Sequence, residues 1–265
     1  MSEQLDLRGR AIQSLRAHLP ELVDRELREL GHGLDNTVFL VDGLVLRMGN
    51  VRSVAQESRL LEIVAEHVSI PVPSPCFADV ANGVLGYAVL PGRSLLGRTP
   101  PPGAAEKLGR FLRELHSIDP STVSDVIARE DPDPREWLAD LDAPSELIHI
   151  VQESVPPPTD RYVVAHADLG AENILEQDGS LTGIVDWSDA AITDPALDFA
   201  RLYRDFGLAF LGEAVEAYGG LDDAFDRIEY FARCAALEDL NYGRTTGRRE
   251  YTQAAERAIS WLFSQ

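Results

Sequence analysis

The sequence predicts an α+β fold, with a small antiparallel sheet followed by a larger, mainly helical region. Two dipeptides, Asp42-Gly43 and Asn82-Gly83, each separate two apolar runs, which is the pattern typical of β-hairpins. Between these hairpins, the apolar residues of 51–68 recur at helical spacing. The order hairpin, helix, hairpin therefore indicates an antiparallel sheet with one helix packed against it.

The pattern changes after Leu90, where Pro91-Gly92 marks a linker. Helical periodicity then dominates the remainder of the chain. We expect an N-terminal lobe over residues 1–90, a C-terminal lobe over residues 91–265 and a hinge near residues 88–93.

Helical spacing recurs in most of the C-terminal lobe. The predicted helices span residues 104–116, 133–141, 145–154, 195–206, 207–218, 221–241 and 249–263. A strand over 162–165 and a hairpin over 173–186 interrupt them. The turn of this hairpin is predicted at Asp178-Gly179.

Composition and charge limit the classes of partner. The chain is 45% apolar and carries a formal net charge of −20. Residues 1–118 hold 13 basic and 14 acidic side chains, whereas residues 119–265 hold 11 basic and 30 acidic ones. Such a surface disfavours nucleic acid and anionic membranes and favours a cationic small molecule. Plain solubility or a salt-adapted host is the alternative explanation of this charge.

Other classes are disfavoured by features that the sequence lacks. It shows no secretory leader and no apolar stretch long enough to span a bilayer, so we expect a cytoplasmic protein, as a monomer or weak dimer. Cys76 and Cys234 have neither metal-ligand spacing nor a disulfide pattern and are expected to be buried free thiols. Lys107, the single lysine, does not lie in a Gly-Lys-Ser/Thr phosphate loop.

The segment from His166 to Asp186 carries the strongest chemical signal. Asp168 and Asn173 are five residues apart on a predicted loop, and the hairpin that follows should bring Asn173 beside Asp186. Carboxylate and amide oxygens suit Mg²⁺, and Asp168 could then accept or orient the proton of a substrate hydroxyl. This arrangement predicts phosphoryl transfer. The alternatives are a turn-capping Asp168 and a structural hydrogen bond between Asn173 and Asp186.

The same residues carry a resemblance to a known family. His166-x-Asp168-x4-Asn173 followed by Asp186-Trp187 resembles the catalytic segment of the aminoglycoside phosphotransferase family, a branch of the protein-kinase-like fold. The similarity continues through residues 189–200, and 31–38 resembles the nucleotide-covering loop of the family. This resemblance implies a bilobal kinase-like fold, ATP or GTP as phosphate donor, and Mg²⁺.

The resemblance also implies roles in nucleotide binding. Arg47 would contact the α- and β-phosphates and pair with Glu57 of the following helix, although kinases generally have Lys at this position and Arg differs in geometry. A structural ion pair is the alternative for these two residues. Gly31 and Gly33 would belong to the covering loop. Backbone groups near Val89 and Leu90 would hold the base.

Two further residues are expected to support the catalytic loop rather than to react. By resemblance, His166 braces this loop, and Asp198 fixes its backbone. Ala167 departs from the family pattern, because relatives often have Gly or Asn at this position.

Acceptor recognition is predicted from acidic residues of the C-terminal lobe. In the family, acidic residues of this region often contact the ammonium groups of the substrate. The candidates are Asp189, Glu238, Asp239 and Tyr242, of which Glu238 and Tyr242 are one helical turn apart. A solvated acidic helix face is the alternative.

We therefore expect an ATP- or GTP-dependent, Mg²⁺-dependent kinase of a hydroxyl on a cationic antibiotic, with an aminoglycoside as the first choice. The alternatives are a macrolide 2′-phosphotransferase, a kinase of a basic peptide antibiotic such as viomycin or capreomycin, and a kinase of an amino alcohol. A nucleotide-binding pseudokinase is an alternative of another class, supported only by Arg47 in place of Lys. A metal hydrolase would need a second well-spaced histidine.

Overall fold

The computed structural model describes residues 2–32, 37–49, 51–133, 138 and 141–264. The chain divides into two compact units. The first comprises Met1–Glu66 and Pro71–Leu90, and the second comprises His67–Ile70 and Pro91–Gln265. The division falls after Leu90, and the segment 67–70 belongs to the second unit. The Ser69 N–H donates to the Glu114 carboxylate (2.7 Å), which joins this segment to that unit.

The first unit is an antiparallel sheet with two helices. Its elements are α1 (Ser2–His18), β1 (Arg28–His32), β2 (Thr37–Val41), β3 (Leu44–Met48), α2 (Val51–Ala65), β4 (Pro75–Asp79) and β5 (Val84–Ala88). The strand order is β1-β2-β3-β5-β4, with antiparallel neighbours throughout. Both predicted hairpins and the helix between them are present. The sequence analysis predicted neither α1 nor β1.

The first hairpin shows how the Asp42-Gly43 dipeptide forms the turn that was predicted from it. Asp42 (φ 48°) and Gly43 (φ 81°) both adopt left-handed backbone, as a two-residue turn of type I′ requires. Val41 and Leu44 then pair directly across the two strands. Turn chemistry therefore sets the register of β3, and with it the position of every later residue of that strand.

Strand β3 is buried on both faces. Leu44, Leu46 and Met48 form one core cluster with Ala11 and Leu15 of α1. Because side chains alternate along a strand, the odd-numbered residues of β3 point to the opposite face of the sheet.

The second unit is mainly helical. Its elements are β6 (Arg93–Ser94), α3 (Ala104–His116), α4 (Ser145–Glu153), β7 (Val163–Ala165), β8 (Ile174–Gln177), β9 (Ser180–Ile184), β10 (Ala191–Thr193), α5 (Ala196–Tyr218), α6 (Phe225–Thr246) and α7 (Arg249–Leu262). Helix α5 packs against α3 and α6, and α6 packs against α7. Two small sheets, β6-β8-β9 and β7-β10, hold the segment that carries the chemistry.

Most predicted helices are present, with corrected ends. Helix α6 begins at Phe225 rather than at residue 221, because Asp223 has a left-handed backbone (φ 52°), and it ends at Thr246, where Gly247 (φ 73°) caps it. The predicted helix over 133–141 lies largely outside the described residues.

The two helices predicted over 195–206 and 207–218 are the two halves of α5. Gly207 lies between them with non-helical backbone (φ 81°, ψ 180°), so the direction of the helix changes there. The first half faces the catalytic segment described below, and the second half passes close to α3, where Ala214 lies against Gly109.

The prediction for the cysteines was half wrong. Cys234 is buried on α6, but Cys76 is exposed. Cys76 lies on β4, an outer strand of its sheet, at an irregularity of the pairing between Pro75 and Phe77. Among the described helices, none combines the length and the apolar character that crossing a bilayer requires.

Candidate active site

The loop between β7 and β8 brings Asp168 and Asn173 together, as their spacing predicts. The chain leaves β7 at Ala165 and makes a short 3₁₀ turn at Ala171–Asn173 before β8 begins. This turn directs the Asn173 side chain back towards Asp168. The Asn173 amide nitrogen donates to both the main-chain oxygen (2.9 Å) and the carboxylate (3.1 Å) of Asp168.

The β8–β9 hairpin brings Asp186 to the same end. Asp178 (φ 52°) and Gly179 (φ 78°) form its left-handed turn. At the open end, the Val185 N–H donates to the main-chain oxygen of Asn173 (2.9 Å). Asp186 follows with a left-handed backbone (φ 61°) and an exposed carboxylate that accepts a hydrogen bond from Ser188 (2.8 Å).

The side-chain chemistry of Asn173 and Asp186 fits a magnesium ion, which these two residues would hold. The amide nitrogen of Asn173 faces Asp168, which leaves the amide oxygen as the ligating end, and Asp186 supplies a carboxylate. Within the part of the chain that the structure describes, no group of three His, Cys, Asp or Glu side chains forms a metal cage. Mg²⁺ commonly takes one or two protein oxygens and completes its shell with water and phosphate oxygens.

His166 connects the loop that carries Asp168 to Val185, which follows β9. Its ring is buried, its Nδ1 faces the Asp168 N–H (3.3 Å) and its Nε2 faces the main-chain oxygen of Val185 (3.0 Å). These partners require an acceptor at Nδ1 and a donor at Nε2, so we assign the neutral tautomer with its proton on Nε2. Trp187 packs on the same ring, at 4.7 Å between centroids. Both nitrogens are therefore engaged in holding the loop.

Asp198 fixes the backbone at the start of the loop. It is fully buried on α5 and accepts hydrogen bonds from the N–H groups of His166 (3.1 Å) and Ala167 (2.8 Å). Ala167 has a left-handed backbone (φ 64°), which explains why Gly or Asn is the better residue at this position. His116, which the sequence analysis missed, also contacts Asp198 (3.0 Å) and the Tyr218 hydroxyl (3.1 Å).

Arg204 fixes the other end of the loop. Its buried guanidinium contacts the carboxylates of Glu172 (3.0 Å), Asp205 (2.8 Å) and Asp239 (3.0 Å). Asp205 also accepts a hydrogen bond from the Ala171 N–H (2.6 Å). Burial raises the pKa of Asp239 to about 7, although Arg204 opposes this shift. Asp239 was predicted to contact substrate, but its ion pair with Arg204 places it in the support of the loop.

Arg201, one turn before Arg204, reaches Asp168 itself. Its Nε lies 3.3 Å from a carboxylate oxygen of Asp168, and a terminal nitrogen lies 3.8 Å from the Glu238 carboxylate. Nothing in the sequence pattern singled out this arginine.

A cavity of about 510 Å³ opens beside Asp168. Most of its ionisable lining is acidic. These side chains are Glu130, Asp131, Asp133, Asp168, Asp189 and Glu238, with Arg201 as the one cation among the described lining residues. Burial raises the pKa values of Asp189 and Glu238, and the neighbouring Asp168 carboxylate raises both further.

Two of the four predicted substrate residues line this cavity, namely Asp189 and Glu238. Tyr242 is one helical turn beyond Glu238 and packs instead against Tyr251 of α7 (5.0 Å between ring centroids) and Arg248. The shared helix face predicted from the sequence is real, but among the described lining residues only its Glu238 end reaches the cavity.

In the first unit, the predicted pair of Arg47 and Glu57 forms a buried ion pair. Arg47 lies on the face of β3 opposite the core cluster of Leu46. Gly31 is in β1, whereas Gly33 lies outside the described residues.

Val89 and Leu90, which were predicted to bind the nucleotide base, are the last two residues of the first unit. The Val89 N–H donates to the main-chain oxygen of Gly43 (2.9 Å), so a bound base would have to use another backbone group near Leu90.

A family model identifies the origin of this site. The model described as the phosphotransferase enzyme family matches residues 26–231, which include both the Arg47–Glu57 pair and the whole catalytic segment. The chain belongs to the phosphotransferase enzyme family. The resemblance inferred from the motif around Asp168 is thereby confirmed.

A curated relative of this chain is the viomycin phosphotransferase of Streptomyces vinaceus. The two are 35% identical over 92 residues, which is 33% of this chain and 32% of that enzyme. The match thus spans about a third of the length of the curated relative.

Solved structures show that the chain has the α+β, protein-kinase-like fold predicted from its sequence. A GDP and kanamycin complex of an APH(2″) enzyme matches with a TM-score of 0.75 and 21% identity, over 93% of this chain and 96% of that one. The macrolide 2′-phosphotransferase MphH of Brachybacterium faecium matches with a TM-score of 0.68 and 24% identity, over 93% and 97% of the two chains.

Proposed function

We propose that this phosphotransferase transfers the γ-phosphate of ATP or GTP to a hydroxyl of a cationic small molecule, with an aminoglycoside antibiotic as the first candidate. The observation that carries the proposal is the acidic cavity beside Asp168. The acceptor hydroxyl would lie in this cavity next to the Asp168 carboxylate, which is the proposed general base. Ammonium groups of the acceptor would bind in the same cavity, because the carboxylates of Asp189 and Glu238 also line it.

In this proposal Asp168 is the catalytic residue. Its carboxylate accepts the proton of the acceptor hydroxyl while the hydroxyl oxygen forms a bond to the γ-phosphorus and the bond to the leaving diphosphate breaks. Asn173 holds Asp168 in place through its amide nitrogen. Asn173 and Asp186 would hold Mg²⁺, which when bound neutralises charge on the phosphates.

Nucleotide binding is assigned to the first unit. Arg47 would contact the α- and β-phosphates, and its ion pair with Glu57 holds the guanidinium in place. Gly31 and Gly33 would cover the phosphates, and backbone groups near Val89 and Leu90 would bind the base.

The acceptor class follows from charge. Six carboxylates surround the cavity, so each protonated amine that binds there gains favourable Coulomb energy in a partly desolvated site. Glu238 and Asp189 are the proposed ammonium contacts. A basic peptide antibiotic of the viomycin kind is the second candidate, because the local match to viomycin phosphotransferase favours it. A macrolide and an amino alcohol remain further acceptors to test.

A screen of nucleotide consumption tests this function. Mg²⁺ with ATP or GTP is incubated with aminoglycosides, viomycin and capreomycin, macrolides and amino alcohols, and phosphorylated product is identified by mass spectrometry. We expect at least one polycationic acceptor to stimulate turnover, and the Asp168→Asn variant to reduce the stimulated turnover about 10²- to 10⁴-fold. Stimulation only by a neutral acceptor would contradict the charge argument. If wild-type protein binds nucleotide without turnover with any acceptor, a pseudokinase is the better assignment.

A further inference from the structure

We propose that Arg201 is a positioning residue for phosphoryl transfer, which orients the Asp168 carboxylate towards the acceptor and supplies the cation that the catalytic loop lacks. The inference rests on the proposed kinase function. It adds a residue that no motif of the chain indicates, and it assigns that residue a role separate from that of its neighbour Arg204.

The first argument is geometric. Asn173 donates to one carboxylate oxygen of Asp168, Oδ2 (3.1 Å), whereas Arg201 approaches the other, Oδ1 (3.3 Å). The two contacts come from different elements, because Asn173 lies in the catalytic loop and Arg201 on helix α5, and each engages a different oxygen. Rotation of the carboxylate about its Cβ–Cγ bond would break both contacts. Arg201 and Asn173 together therefore select one orientation.

The second argument concerns charge. Residues 166–173 contain no lysine or arginine. A side chain at Gly170, two residues after Asp168, would collide with the Glu172 carboxylate and the Arg204 guanidinium, so the loop has no room for a cation there. The guanidinium of Arg201 reaches the site from α5 instead.

The third argument separates Arg201 from Arg204. Arg204 is almost fully enclosed and contacts three carboxylates at 2.8–3.0 Å. Arg201 lines the cavity, retains 15% exposure of its side chain, and contacts Asp168 and Glu238 at longer distances. Burial acts to lower the pKa of Arg201, but the surrounding carboxylates of Asp168, Glu238 and Asp239 together outweigh it and raise this pKa, so the cation persists. Arg204 therefore holds the loop from inside the protein, whereas Arg201 faces the cavity beside the proposed general base.

The contact with Glu238 extends the role of Arg201 to the acceptor. The same guanidinium contacts the proposed base and a proposed ammonium ligand. Its planar fork can hold both carboxylates at once, which a lysine ammonium cannot do with the same geometry. Arg201 thus fixes the distance between the reacting hydroxyl and the amine that anchors the acceptor.

The test uses the full chain with the acceptor that gives the highest turnover. We expect Arg201→Gln to lower kcat about 10- to 100-fold, as for the misplacement of a reacting group, with the KM for nucleotide changed by less than about threefold because the phosphate contacts are made elsewhere. Arg201→Lys should recover part of this loss. Arg233→Gln is the matched control, because Arg233 is similarly buried and pairs with Glu229 on α6 (3.2 Å), outside the cavity.

A double-variant cycle shows whether Arg201 acts through Asp168. We expect Arg201→Gln to cause no further loss in the Asp168→Asn background. Multiplicative losses, or equal kcat losses in Arg201→Gln and Arg233→Gln, would overturn the inference while leaving the kinase function intact. If the wild-type protein shows no turnover with any acceptor and no hydrolysis of nucleotide by water, both the function and the inference fail. Rescue of Arg201→Ala by added guanidinium ion would support the inference and exclude a folding defect.

Discussion

Asp168 illustrates how single side chains are combined in this site. The amide of Asn173 and the guanidinium of Arg201 contact different oxygens of one carboxylate, and the ring of His166 accepts the N–H of the same residue. The loop is therefore organised around a residue whose side chain remains exposed to the cavity.

Replacement of the proposed general base, Asp168, should slow the reaction strongly without unfolding the protein. Asp168→Asn keeps the size of the side chain, so the thermal midpoint should change little, while kcat should fall by about 10²- to 10⁴-fold because general-base assistance is lost. Steady-state kinetics and thermal unfolding measure the two effects. A variant with undiminished kcat would refute the assignment of Asp168.

The backbone of Ala167 permits a stabilising substitution. Ala167 has φ 64°, a conformation that costs an L-residue about 1–2 kcal/mol and a glycine almost nothing. Part of that gain is offset because glycine is more flexible in the unfolded chain. Ala167→Gly should therefore raise the thermal midpoint by about 1–3 °C. Ala171→Gly is the control, since it places a glycine in the same loop where no left-handed strain is relieved. A rise in both variants would show that the strain at Ala167 is not the cause.

At the scale of elements, the difference between what sequence predicts and what it does not is clearest in the catalytic segment. The turn at Asp178-Gly179 is a local signal, and the pairing rule of a hairpin then places Asn173 beside the end of β9. That prediction needed no information from outside 173–186. The Arg47–Glu57 pair required the family resemblance in addition.

The contacts made by helix α5 could not be predicted in this way. Arg201 and Arg204 lie about 30 residues from their partners in the loop, and helical periodicity does not indicate which element a polar face meets. His116 is 82 residues from Asp198. Glu238 and Tyr242 share a face of α6, but that helix passes the cavity only near Glu238.

Helix α1 was not predicted for a different reason. Ala11 and Leu15, four residues apart, are buried in the core of the first unit, so a local signal was present. The charged residues that surround this short apolar stripe obscured it.

The cluster around Arg204 predicts a pH dependence of stability. The pKa of Asp239 is about 7 in the folded protein, against about 4 for an ordinary Asp. The folded state therefore binds this proton more tightly than the unfolded state does. The resulting stabilisation is complete below about pH 4 and is lost as the pH rises through 7.

Thermal unfolding between pH 5 and 8 measures this effect. We expect the midpoint of the wild-type protein to fall across this range, and Asp239→Asn to reduce the slope. Asp226→Asn, a change of an exposed Asp on the same helix, should leave the slope as in the wild type. Equal slopes in wild type and Asp239→Asn would show that another group titrates.

At the scale of the whole molecule, the net charge of −20 can act on a cationic acceptor in two ways, a general one through long-range attraction and a local one through contacts in the cavity. The general part acts at long range on any cation and is screened at physiological salt, where the Debye length is about 8 Å. The local part consists of the carboxylates that line the cavity, which salt screens less. The two parts can be separated with variants that change the net charge equally.

Glu238→Gln and Glu213→Gln each remove one negative charge, the first from the cavity and the second from an exposed position on α5. Glu238→Gln should raise the KM of a polycationic acceptor about tenfold, as expected for the loss of a charge-assisted hydrogen bond. Glu213→Gln should change this KM by less than twofold, on the order of a rim charge. Acceptor titrations at two salt concentrations measure both values. Equal increases would indicate long-range attraction rather than recognition in the cavity.

The first half of α5 contacts the catalytic loop at nearly every turn. Asp198 binds the N–H groups of His166 and Ala167, Arg201 contacts Asp168, and Arg204 and Asp205 hold Glu172 and Ala171. Because each residue of an α-helix is rotated by about 100° from the last, an insertion of one residue after Asp198 would turn all the later contacts away from the loop together. A substitution in this stretch therefore removes only the contact of that residue, whereas a change in its length would remove all the later contacts at once, and we expect any variation in the length of α5 to be confined to the part beyond Gly207.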